Sequence, residues 1–170
     1  MVEKKILGRA SLPYKRRTWR GKPFDNRTVS ALQWAERHYI DVAPKKRKPW
    51  VIYQGSYSTG ASPNSKGTHD GGGAVDISTE GMNDKQKRAV VKWLRKGGWA
   101  AWLRPYIKDV WPEHIHAELL WHKTASKGAK QQWDAYLNHR DGLSGNRPDN
   151  SWRPKVQWRW SHRQNRRVRK

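Results

Sequence analysis

Two short stretches hold most of the residues able to do chemistry. One is Gly67-Thr68-His69-Asp70-Gly71-Gly72-Gly73-Ala74-Val75-Asp76-Ile77, and the other is Trp111-Pro112-Glu113-His114-Ile115-His116-Ala117-Glu118. A hydrolytic zinc site needs about three N or O ligands and a fourth position left for water. His69 and Asp76 offer an imidazole and a carboxylate across a glycine run, which folds back where other residues resist. Asp76 interrupts an apolar strand-like segment, where a carboxylate is costly unless paired or metal-bound. His116 sits on a second strand-like segment, its ring on one face and Ile115 and Ala117 on the other. It is the third expected ligand. Zinc suits such a His2Asp set best, although other divalent ions also occupy it.

A base must stand beside the ion without binding it. Glu113, three residues before His116 in the bend set by Pro112, is the expected acceptor of a proton from water that the ion activates. His114 shares a strand face with His116 and is expected to stabilise an oxyanion or steady the ligands. A hydrogen-bonded His69–Asp76 pair that merely fixes a loop is the plainer alternative. Glu118 also shares the His116 face, with a salt bridge to one of the many Lys or Arg residues expected. His122 and His139 are expected at the surface. The Gly71–Gly73 run lacks the Lys-Ser/Thr of a phosphate-binding loop and precedes a strand, which argues against a nucleotide cradle.

The elements that position these residues follow from periodicity and turn chemistry. Helices are expected over Asp25 to Tyr39, Asn83 to Lys96 and Ala129 to Asn138. The second has Asn83 as cap, Gln86 completing a capping box and Gly97 as its stop. Strands are expected over Val51 to Tyr53, Ala74 to Ile77, Ala100 to Leu103 and Ile115 to Leu120. Gly55 to Gly73 is a long loop of the functional kind. The fold class is α+β, a small and mostly antiparallel sheet with packed helices. The expected organisation is a basic arm over residues 1–22, a domain over 23–154, and a disordered basic tail over 155–170.

Taken in order, Gly-Thr-His69-x6-Asp76 followed by Glu113-x-x-His116 resembles the Hedgehog/D-Ala-D-Ala metallopeptidase superfamily. It includes D-Ala-D-Ala carboxypeptidases and dipeptidases, phage L-alanyl-D-glutamate endolysins and the Hedgehog signalling domain. The likeness spans about Val51 to Pro154. Gln54 to Ser58 and Asp141 to Asn146 resemble a branch common in actinobacteria and their phages. It implies a zinc peptidase of that fold, with His69, Asp76 and His116 on zinc and Glu113 as base, cutting an amide in the peptidoglycan stem peptide. Carboxypeptidase members commonly carry Ser-Gly-Tyr-Arg-Ser before the first His. Gln54-Gly55-Ser56-Tyr57-Ser58 has no Arg, which favours an endopeptidase and leaves Gln54 and Tyr57 as expected substrate contacts. Hedgehog-type members bind zinc without known proteolysis, so a non-catalytic zinc-stabilised basic module is the alternative.

Composition bounds the partners. Lys and Arg number 36 against 14 acids, a net charge of +22, so polyanions are attracted: anionic wall polymers through the basic termini, and nucleic acid secondarily. Eight Lys/Arg and no acid lie between Ser151 and Lys170, interleaved with Trp152, Trp158 and Trp160. A further basic knot, Lys45 to Lys48, reads as a loop between prolines. There are 12 Trp but one Phe, so a small Trp-built core is expected. No Cys is present, which excludes disulfides and thiolate chemistry. No apolar run approaches the roughly 20 residues of a membrane span. Met1 to Ala10 lacks the apolar stretch of a signal peptide. A monomeric enzyme made in the cytoplasm, then let out by a phage or carried on a virion, is the corresponding expectation.

Overall fold

A computed structural model describes residues 12–41, 49–61, 63–161 and 166–169. The basic knot Lys45 to Lys48 and the first eleven residues of the expected arm lie outside these. The class is α+β. A four-stranded antiparallel sheet runs in the order β3 (Ile52–Gln54), β4 (Ala74–Ser78), β6 (His114–Leu119), β5 (Trp99–Arg104). Helices α1 (Asn26–Asp41) and α2 (Asp84–Lys96) cover one face, and α3 (Lys127–Leu137) packs at the other. Among the described residues no helix is long and apolar enough to cross a membrane.

Local chemistry explains the boundaries. The Asp25 side chain accepts from the Thr28 amide at 2.8 Å, capping α1. Asn83 and Gln86 form the reciprocal capping box of α2, and Gly97 closes it. Ser126 accepts from the Ala129 amide and starts α3.

The central strand β6 is buried throughout, and its two-residue alternation divides the molecule. Ile115, Ala117 and Leu119 join Leu32, Leu94 and Trp99 in the larger core beneath α1 and α2. His114, His116 and Glu118 face the other way, toward α3 and the loops. A smaller apolar cluster around Trp102, Leu120 and Trp133 accompanies them.

Across the boundary of the expected arm, β1 (Arg16–Trp19) and β2 (Lys22–Asp25) form an antiparallel hairpin leading directly into α1. The tail expected to be disordered folds back instead: β7 (Trp158–Ser161) pairs with β8 (Arg166–Arg169). Trp160 is 0% exposed, its ring N–H donates to Ser30 Oγ at 2.9 Å, and its carbonyl accepts from Arg27 at 2.5 Å. The Arg167 guanidinium lies 4.2 Å from the Trp158 ring centre and donates to the Lys96 carbonyl. Burial of one large indole outweighs the solubility of the arginines around it.

Candidate metal centre

One transverse row of the sheet carries the site. Gln54 stands opposite Asp76, Asp76 opposite His116, and His116 opposite Trp102. All four side chains share a face because directly opposed residues project to the same side. His69 enters from above, on a single 3-10 turn (Thr68–Asp70) in the Gly55–Gly73 loop.

The loop is pinned by backbone bonds. The Ser58 amide donates to the His69 carbonyl at 2.9 Å, and the Tyr57 and Gly72 amides bond Gly71 and Thr124. The glycines are required by space and torsion. A Cβ on Gly72 would lie 2.4 Å from both the His122 ring and the Tyr57 hydroxyl, and Gly73 has φ +91°.

Ligand atoms of His69, Asp76 and His116 all lie within 4.8 Å of one another. The His69 Nδ1–H donates to the Gly55 carbonyl at 2.8 Å, which leaves the Nε2 lone pair aimed at Asp76 Oδ2, 3.3 Å away. His116 Nδ1 lies 2.7 Å from Asp76 Oδ1, while its Nε2 faces Glu118 Oε1 at 3.5 Å. Glu118 is 0% exposed and its oxygens have no hydrogen bond among the described residues. Two imidazoles, each backed by an acceptor, thus converge on one carboxylate. These residues could hold a divalent metal ion.

Electrostatics point the same way. Burial alone would raise Asp76 and lower both imidazoles. Their mutual attraction overrides it: Asp76 is held well below the usual carboxylate range, His69 is raised, and His116 is pushed up to about 9. Burial pushes Glu118 up. Without metal the cluster retains protons, and a bound ion would displace them.

The cluster opens into a cavity of about 250 Å³. Gln54 and His114 line it, as expected. His114 Nδ1–H donates to the Pro112 carbonyl at 2.8 Å, so Nε2 bears the lone pair, 3.8 Å from Asp76 Oδ1. Burial lowers its pKa and keeps the ring neutral.

Glu113 is not brought to this cavity. It lies in the bend before β6, where Lys87 Nζ at 2.6 Å and Thr79 Oγ1 at 2.8 Å hold its carboxylate. The Lys87 bond keeps its pKa below the usual range. Tyr57 is also corrected. Its hydroxyl donates to Asp25 Oδ2 at 2.7 Å and lies 2.8 Å from Thr124 Oγ1, behind the glycine turn rather than in the cavity. His122 is corrected from surface to core, being 1% exposed with Nε2 3.1 Å from Asp25 Oδ2. His139 is exposed, as expected. Glu118 contacts His116 rather than a Lys or Arg.

Arg104 and Gln132 line the cavity without having been singled out in the sequence. Extending the Ala100–Leu103 strand by one residue places Arg104 on the Trp102 face, opposite His114. That alternation was the available signal. No family model, curated protein or solved structure matches the chain.

Proposed function

We propose that this protein is a zinc-dependent peptidase of the Hedgehog/D-Ala-D-Ala type, hydrolysing an amide bond of the peptidoglycan stem peptide, as an endopeptidase. The observation that carries this reading is the His69–Asp76–His116 cluster at the floor of an open cavity. A divalent ion there supplies Lewis acidity, polarising a carbonyl and lowering the pKa of water.

The chain's own residues do the rest. The Gly55 carbonyl orients the His69 ring and Glu118 lies 3.5 Å from His116 Nε2, which would leave His69 Nε2 and His116 Nδ1 for the ion. His114 Nε2 accepts the proton as water adds to the carbonyl and returns it to the leaving amine, a role its neutral ring and cavity-facing lone pair suit. Gln54 is placed to donate to the substrate backbone from the same row as Asp76. The basic surface holds the enzyme on an anionic wall, with binding that weakens as salt rises.

The Lys87–Glu113 contact favours a second reading, a non-catalytic zinc-stabilised module that binds anionic polymers. Digestion of purified peptidoglycan, with mass spectrometry of the muropeptides and a chelator control, separates the two. New chelator-sensitive amide cleavage is expected. Stoichiometric zinc with intact muropeptides would sink the peptidase reading and leave the module.

A further inference from the structure

Arg104 is a cation with no carboxylate partner at the edge of the metal cavity. It is 4% exposed, so its guanidinium has lost most of its water. Its hydrogen bonds go to neutral acceptors, the Asp141 carbonyl at 2.5 Å and Gln132 Oε1 at 3.5 Å. Among the described residues no acidic group is ion-paired with it, and Asp141, Asp76, Asp149 and Glu118 act on it only through space. The Trp102 ring centre, 4.7 Å from Arg104 Cζ, holds it flat. A buried guanidinium satisfied only by neutral acceptors retains affinity for an anion.

The same residue borders a second groove, of about 780 Å³, on the far side of Leu143. That groove also presents Arg88, Lys92 and Arg147, none of which has a carboxylate partner among the described residues. Its two acids are already engaged: Asp149 by Arg95 and Arg153, and Asp141 by the Leu143 and Arg147 amides. Trp152, 45% exposed, stands at the rim beneath Lys92. A third groove that Leu143 also borders carries Lys66, Arg140 and Asp134 beside Gln131, Gln132 and Asn138. Arg104 thus stands where the metal cavity meets the more strongly cationic of the two grooves.

We propose that Arg104 receives a carboxylate of the substrate next to the scissile amide, the acid-bearing end of the peptide lying in the groove of Arg88, Lys92 and Arg147. A carboxylate here forms two N–H···O bonds with a desolvated guanidinium, and a carboxamide of equal size cannot replace its charge. This selectivity rests on the proposed amide-hydrolase reading of the site.

The test pairs each ligand with its amidated form. N-acetylalanine and N-acetylalaninamide are titrated into the full chain by NMR, and muropeptides with free or amidated carboxylates are offered as substrates. The wild type is expected to favour the acid by about tenfold or more in both measurements. Arg104→Gln is expected to reduce that preference below about threefold and leave bound zinc unchanged, while Arg104→Lys keeps part of it. Equal treatment of acid and amide by the wild type, or a preference that survives Arg104→Gln, overturns the proposal. If Arg104→Gln does not fold, the wild-type comparison and Arg104→Lys decide. If neither muropeptide is cut yet the acid still binds selectively through Arg104, the hydrolase reading fails and the anion site stands.

Discussion

His116 and Asp76 face each other directly across the β4–β6 ladder, with His116 Nδ1 2.7 Å from Asp76 Oδ1. Residues 40 positions apart in the chain are held at ligand distance by strand register alone. A one-residue slip would turn every ligand on that strand to the wrong face.

The first prediction concerns these ligands. His69→Gln, Asp76→Asn and His116→Ala are each expected to lower bound zinc well below one ion per chain, read by elemental analysis after dialysis. Glu118→Gln retains zinc but weakens it by about 10–100-fold, the usual cost of losing a group that orients a ligating histidine. Competition against a chromophoric chelator measures that factor. Removing the ion should also lower the melting temperature, since an ion at 100 times its Kd stabilises by about 2.7 kcal/mol.

Glu113 and His114 are separated by a matched pair of variants. Because Lys87 and Thr79 hold Glu113 outside the cavity, Glu113→Gln is expected to leave turnover within about threefold of wild type. His114→Ala is expected to cost about 10²–10⁴-fold, the range for a lost general base. Initial rates on muropeptides decide between them. A hundredfold loss in Glu113→Gln would mean that this carboxylate leaves Lys87 and enters the cavity during turnover.

Acid stability reports on Asp25. Burial would raise its pKa, but His122, the Thr28 amide and Tyr57 together lower it. A depressed carboxylate contributes its full stability above the unfolded value near 3.9 and loses it as pH falls through the folded value. Asp25→Asn should therefore cost about 1–3 kcal/mol at pH 7, the scale for hydrogen bonds to a buried charged group. That difference from wild type should shrink below about pH 4. Urea unfolding at a series of pH values gives the curve, and a constant difference down to pH 2 would contradict this account.

Trp160 tests the folded tail. Trp160→Ala is expected to destabilise by about 3–5 kcal/mol, as for other large-to-small core changes. Arg159→Ala, at an exposed position of β7, is expected to stay within about 0.5 kcal/mol. Thermal denaturation of both variants provides the comparison.

The ligands were legible in the sequence because each lies in a local pattern: a glycine run that bends, an acid inside an apolar strand, and an alternating His-x-His. The α2 helix was legible down to its capping box for the same reason. Glu113 was placed beside the ion by the bend at Pro112 and by resemblance, whereas its carboxylate is taken by Lys87 and Thr79. Both partners lie far from it in the chain, and nothing beside Glu113 signals them. The Asp25–His122 contact joins residues 97 apart, and nothing near either one signals the other. The tail misled for a related reason. Its arginines describe a solvated segment, whereas the surface that receives Trp160 belongs to α1, some 130 residues earlier.

Because Trp160 plugs the packing of α1, the order of biosynthesis and the order of consolidation differ. A nascent chain that has emerged through β6 already holds all three candidate ligands, yet α1 still lacks the indole that seals it. Maturation is therefore expected to be late and cooperative, with the final hairpin acting as the latch.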